Sequence, residues 1–123
     1  MLRLLLVDDE PAILRLLRTI LELAECEVHT CASAAEAIPR LKQEKFDLIV
    51  TDMRMESVTA GYDVVRAAVK LKPRPVVVIL TAFPISPADW KPSGADALIV
   101  KGTEMVNLPQ RLQALVKARS QSK

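Results

Sequence analysis

The sequence predicts a single α/β domain in which a parallel sheet of five strands carries helices on both faces. Three observations lead there. Five short, mostly aliphatic runs are spaced along the chain, helical patterns alternate with them, and no repeat, low-complexity tract or linker interrupts the 123 residues. A chain of that length with 50% apolar and 26% charged residues supplies one compact core. Right-handed crossovers restrict the topology, and in each permitted form ligands gather at the carboxyl ends of the strands, near a switch in strand order.

Arg3 to Val7 is an apolar run closed by acids and predicts a first strand buried on both faces. Pro11 to Ala24 places Ile13, Leu14, Leu16, Leu17, Ile20, Leu21 and Ala24 along one helical stripe, and Pro11 suits a first helical turn. Glu27 to Ala32 alternates as a second strand. Ser33-Ala34-Ala35-Glu36 has the pattern of a capping box and opens a helix to Gln43, within which Pro39 is a conflict because it removes a hydrogen bond. Asp47 to Thr51 reads as a third strand, followed by a loop from Met53 to Gly61 and a helix from Tyr62 to Leu71. Pro73 and Pro75 frame a turn before Val76 to Leu80, the most strand-like run in the chain. Ser86 and Pro87 begin a fourth helix that Pro92 stops early, so this helix is expected to be short or displaced. Ala97 to Val100 is a fifth strand and Asn107 to Ala118 a final helix; Ser120 to Lys123 is expected to fray as a polar tail.

The strand ends select the chemistry. Asp8 and Asp9 follow the first strand, Asp52 the third, Thr81 ends the fourth and Lys101 follows the fifth. An Asp at one strand end is most often a turn or helix cap. Polar groups of matching type at four strand ends are a different matter. Three carboxylates at one sheet edge repel unless a cation sits among them, and hard oxygen ligands suit Mg²⁺, which prefers one or two carboxylates with a phosphate oxygen. A carboxylate there can attack phosphorus and form an acyl phosphate, with Lys101 and Thr81 holding the transferred oxygens.

The segments Leu5-Leu6-Val7-Asp8-Asp9-Glu10-Pro11, Asp47 to Met55, Leu80-Thr81-Ala82, and Gly94-Ala95 through Lys101 resemble the receiver domain of two-component response regulators over essentially the whole chain. The resemblance implies a flavodoxin-like fold with strand order 2-1-3-4-5, a receiver domain over residues 1–119, and a tail over 120–123. It implies Asp52 as phospho-acceptor, Asp8, Asp9 and Asp52 with the backbone carbonyl of Arg54 as Mg²⁺ ligands, and Thr81 and Lys101 as the switch hydroxyl and the family's lysine. It further implies a phosphorelay switch, not a metabolic enzyme, that catalyses its own phosphorylation and dephosphorylation. A sensor histidine kinase or phosphotransfer protein would be the donor and an unknown effector the target, with a phosphorylation-dependent dimer among the output forms open to it.

Several residues depart from the family pattern. Glu56 holds the position of a usual Pro and is expected to point into solvent; Gly61 falls one residue late, so the loop after the acceptor is longer by one. The stretch from Thr81 to Gly94 is shortened and crowded by Pro84, Pro87 and Pro92. Leu98 replaces the usual aromatic switch, and Gly102 the usual Pro after the lysine. The changes at Leu98 and Gly102 fall on the family's signalling face, so phosphorylation is expected to be normal and the coupling to output altered. Arg54, two after the acceptor, and Phe83, two after Thr81, stand where the family's side chains flank the approach of water and are expected to lengthen the phosphoryl lifetime, while Trp90 is expected to fill the gap left by the short fourth helix.

Other classes are weaker. A degenerate receiver, acting as a phosphorylation-independent interaction module, is disfavoured because every site residue is present. A phosphatase of the haloacid dehalogenase type needs a general acid two residues after its nucleophile, where Arg54 stands. A flavin or nucleotide carrier lacks its Gly-rich loop after the first strand. Cys26, His29 and Cys31 have no fourth ligand for a metal site and read as ordinary reduced residues. The net charge of +2 and the absence of a recognition helix argue against nucleic acid binding. The longest mostly apolar run is far too short to span a membrane, and with no secretory signal visible the expected location is cytoplasmic.

Overall fold

In the computed structural model, which describes residues 1–121, the five strands form one parallel sheet in the order β2-β1-β3-β4-β5. β1 (Arg3–Val7), β2 (Glu27–Cys31), β3 (Leu48–Thr51), β4 (Val76–Thr81) and β5 (Ala97–Val100) alternate with α1 (Pro11–Leu23), α2 (Ala34–Gln43), α3 (Ala60–Val69), α4 (Pro87–Trp90) and α5 (Leu108–Gln121). The expected order and helix alternation are both found.

Alternation along each strand divides the core in two. Leu5, Val7, Ile49, Val77 and Ile79 face α2 and α3, packing on Ala37, Leu41, Val64 and Val65. Leu4, Leu6, Val50, Val78 and Ile99 face α1 and α5, packing on Leu17, Leu21, Leu108 and Leu112. With both faces covered, the central strands are aliphatic without polar interruption, as a parallel sheet requires.

Helix ends follow local chemistry. Ser33 Oγ accepts from the Glu36 amide at 3.1 Å, while the Glu36 carboxylate reaches back one residue further than in a standard box, to the Ala32 amide at 2.8 Å. Pro39 is accommodated inside α2. The third helix begins at Ala60, two residues before the expected Tyr62, because Gly61 must lie in its first turn against the backbone of β3's end. Asn107 adopts a left-handed conformation (φ 59°), which Asn tolerates, so α5 starts at Leu108. It runs to Gln121, past the expected end at Ala118; Ser122 and Lys123 lie outside the described residues.

The fourth helix is as short as the sequence predicts, a single turn capped by Ser86 Oγ and continued by a 3₁₀ turn over Lys91–Ser93. Trp90 is half-buried and packs against the α3-side core, as do Ile85 and Leu98. Cys26 precedes β2 and Cys31 ends it; both are free and buried, and burial pushes both thiols up. His29 is occupied otherwise, with Nδ1 on Arg40 at 3.1 Å and Nε2 on Glu27 at 2.7 Å.

Candidate functional site

Strand register assembles the site. Val7 pairs with Thr51, so Asp8 and Asp52, one residue further along each chain, emerge side by side at the carboxyl edge of the two central strands. The Asp52 amide donates to Val7 O at 2.8 Å and the Asp8 amide to Cys31 O at 3.1 Å, which fixes both backbones. Thr81 pairs with Val100, and the Lys101 amide donates to Thr81 O at 2.8 Å, bringing the hydroxyl and ammonium residues to the same edge.

Lys101 Nζ sits between the two buried acids, 2.7 Å from Asp8 Oδ2 and 3.0 Å from Asp52 Oδ2. Asp8 is 2% exposed and Asp52 7%. The other oxygens are held by the backbone: Asp8 Oδ1 accepts from the Glu10 amide at 3.0 Å and Asp52 Oδ1 from the Met53 amide at 2.7 Å. Burial pushes the Asp52 carboxyl up, against the opposing pull of Lys101. Burial works against the Lys101 charge, but its bonds to Asp8 and Asp52 outweigh that and hold the ammonium above its ordinary value. Thr81 is fully buried; its hydroxyl accepts from the Phe83 amide at 3.4 Å.

Carboxylate oxygens of Asp8, Asp9, Glu10 and Asp52 lie within 4.8 Å of one another. Four acids cluster where a single ammonium bonds two of them, Asp8 and Asp52, and every acid offers a hard oxygen, a set that fits a hard divalent cation. The structure thus brings Asp8, Asp9, Asp52 and Lys101 together at one sheet edge, with Thr81 buried at the same edge. Glu10 joins the acids although its helix-start position gave no reason to select it.

Two further residues shape the site without announcing themselves in sequence. Thr51 Oγ1, fully buried, donates to Asp52 O at 2.9 Å. Gly61 lies so close to the acceptor that a Cβ there would stand 2.3 Å from Asp52 O and 2.7 Å from Met53 Cα, while its own amide donates to Met53 O at 2.9 Å. Only glycine permits this approach.

Glu56 is solvent-exposed as expected, but its carboxylate is not idle: it turns back to α2, with Oε1 accepting from the Ala34 amide and Oε2 from the Ala35 amide, each at 2.9 Å. A carboxylate is well suited to those unpaired helix-start donors. Partial burial raises the Glu56 carboxyl, but the amides outweigh it and hold the group below the usual range. Glu56→Ala is therefore expected to cost about 1 kcal/mol in urea unfolding at neutral pH, the size of a lost helix cap. Because the folded value is depressed, the contribution is complete above the unfolded value of about 4.3 and is lost as pH falls through the folded one. The gap between parent and variant should accordingly close in acid.

Arg54 and Phe83 meet, as the guanidinium lies 4.1 Å from the ring centroid and joins the loops after β3 and β4. Leu98 is half-buried against the α3-side core, and Gly102 has φ 110°, a conformation closed to Pro.

The profile of the response regulator receiver domain matches residues 4–113. The transcriptional regulatory protein GlrR of Escherichia coli is 40% identical over 79 residues, covering 64% of this chain and 18% of GlrR, so the chain spans under a fifth of that relative's length. Among solved structures, a CheY-like receiver domain from Methanospirillum hungatei superposes with a TM-score of 0.89 at 26% identity, covering 100% of this chain and 99% of the other. TrrA of Thermotoga maritima, solved in complex with Mg²⁺-BeF, superposes with a TM-score of 0.82 at 29% identity over 94% and 99% of the two chains; TrrA has also been solved in complex with the histidine kinase ThkA. No helix among the described residues is long and apolar enough to cross a membrane. The match over residues 4–113 takes in all five strands and every site residue from Asp8 to Lys101, and the chain belongs to the response regulator receiver domain family, whose members are switches in phosphorelay signalling.

Proposed function

We propose that Asp52 accepts a phosphoryl group from the phosphohistidine of a sensor kinase or phosphotransfer protein and that the domain promotes both this transfer and its hydrolysis. The observation that carries the reading is the Asp8–Lys101–Asp52 contact at the switch point of the sheet. Asp52 Oδ1 is engaged by the Met53 amide, which orients the carboxylate; Oδ2, facing Lys101, is the attacking oxygen. As the oxygen–phosphorus bond forms, the phosphorus–nitrogen bond of the donor breaks and its electron pair stays on the imidazole. Lys101 is placed to neutralise the phosphoryl oxygens, and the Thr81 hydroxyl to donate to one of them. Asp8, Asp9 and Asp52, with the Arg54 carbonyl, would hold Mg²⁺, which when bound supplies positive charge beside those oxygens. The two reduced thiols and a histidine kinase donor support a cytoplasmic setting.

Beryllofluoride with Mg²⁺ tests the site without a kinase. Amide NMR shifts are expected at Asp8, Met53, Thr81 and Lys101 in the parent and not in Asp52→Asn. A parent spectrum unmoved by saturating beryllofluoride would reject the acceptor reading in favour of a phosphorylation-independent module.

The Arg54–Phe83 pair is proposed to hinder the water that attacks the acyl phosphate. Replacing both with Ser is expected to speed loss of the phosphoryl group several-fold, about 1 kcal/mol in barrier, as followed by phosphate-affinity gel electrophoresis. An unchanged lifetime would remove the pair from the mechanism.

Coupling to output is proposed to differ from the family pattern. The single-turn α4, the inward Leu98 and the Glu56 link from the acceptor loop to α2 all support this. Crystal structures with and without beryllofluoride should show movement of the Glu56 loop with little change in α4; a Thr81 shift that rearranges α4 would contradict the proposal.

A further inference from the structure

The acids at the carboxyl edge of the sheet have an opposite at the amino edge. Between the end of α2, the start of β3 and the turn before β4 lies a cavity of about 200 Å³, floored by Leu41, Phe46, Ile49 and Leu71. Lys42, Lys45 and Lys72 stand around it, and Lys70 borders the adjoining groove between α2 and α3. All four lysines are exposed, and none makes a hydrogen bond or ion pair through its side chain among the described residues.

Nearby acids do not balance them. Glu44 is taken by Arg3 and Arg40 and Asp63 by Arg66; Asp47, whose carboxylate accepts from the neutral Arg3 amide, keeps its charge, but one carboxylate leaves the four lysines in excess. Four unpaired ammonium groups at one end exceed the net charge of the whole chain, +2. The small formal charge thus conceals a separation, with a cluster of four acids at one edge of the sheet and an excess of free lysines at the other.

The apolar floor is held in place. Arg3 stacks 4.8 Å from the Phe46 ring centroid, and His29 meets the same ring edge-on at 5.6 Å. A fixed apolar hollow of this size receives one bulky side chain, and a rim of ammonium groups attracts carboxylates on either side of it. Nucleic acid fits less well, because the centre of the patch is an apolar hole and not a track of donors spaced for phosphates.

We propose that this amino-edge pocket docks an acidic protein segment carrying one large apolar side chain, with the side chain in the hollow and the flanking carboxylates on Lys42, Lys45 and Lys72. The site lies at the opposite end of the sheet from Asp52 and is present without phosphorylation, so its test is independent of the phosphoryl chemistry.

The probe is a fluorescein-labelled peptide of six glutamates around a central tryptophan, added to the unphosphorylated protein. Amide shifts are expected at Lys42, Lys45, Phe46, Leu71 and Lys72, with anisotropy reporting affinity. Lys42→Glu with Lys72→Glu should weaken binding at least about tenfold, as should alanine in place of the peptide's tryptophan. Lys42→Gln with Lys72→Gln should fall between, and it stands as the reporter if circular dichroism shows the charge-reversed form unfolded. Raising the salt concentration should weaken every complex. Shifts centred elsewhere, equal binding of the alanine peptide, or tighter binding of an oligothymidine at the same residues would each overturn the proposal.

Discussion

Lys101→Met is expected to reduce phosphoryl uptake from acetyl phosphate by about 100-fold, the usual scale for losing one aligned charge donor. The ammonium occupies the space between Asp8 and Asp52, and among the described residues no other cation is paired with either carboxylate. Removing it leaves two buried acids facing each other, which should cost about 3 kcal/mol of stability in metal-free buffer. The two effects separate experimentally. Urea unfolding measures the stability loss, and added Mg²⁺ should recover part of it by restoring positive charge, whereas the initial rate of phosphorylation should remain low. Full recovery of the rate by Mg²⁺ would show that Lys101 serves only to offset the acids.

Gly61→Ala is expected to be among the most damaging single changes in the chain. The new methyl would stand 2.3 Å from Asp52 O and 2.7 Å from Met53 Cα, and both are backbone atoms that cannot rotate away. Relief requires moving either the start of α3 or the end of β3, for which overpacking costs of about 3 kcal/mol apply. For a domain of this size that lowers the melting midpoint by about 10 °C. Since the displaced peptide carries the acceptor, phosphorylation should slow as well. A variant with parent-like melting would mean that the loop relaxes freely and that the longer spacing to Gly61 is not under constraint.

Much of this was legible in the sequence because parallel sheets write themselves in simple terms. Continuous aliphatic runs gave four of the strands and alternation the second, and the strand ends gave Asp8, Asp52 and Lys101 with Thr81 beside them. Proline positions foretold the single-turn α4. What escaped detection depends on contacts between segments distant in sequence. Glu56 read as a solvent-facing acid because nothing in its neighbourhood reveals that the start of α2, 21 and 22 residues earlier, presents two open amides to it. Gly61 was placed at the end of a loop, since the close approach that pulls it into α3 comes from the end of β3. The lysines of the amino edge come from separate segments of the chain. They come together only when α2, β3 and the turn before β4 meet, while Arg3 and Arg40 neutralise Glu44.

The central claim is that Asp52 carries the phosphoryl group in a site completed by Asp8 and Lys101. Intact mass spectrometry after incubation with acetyl phosphate, with and without Mg²⁺, tests it most directly when parent and Asp52→Asn are run together. The parent should gain a single phosphoryl group only when Mg²⁺ is present, and the variant none. A parent that gains nothing, or a variant that gains as much as the parent, would contradict the account.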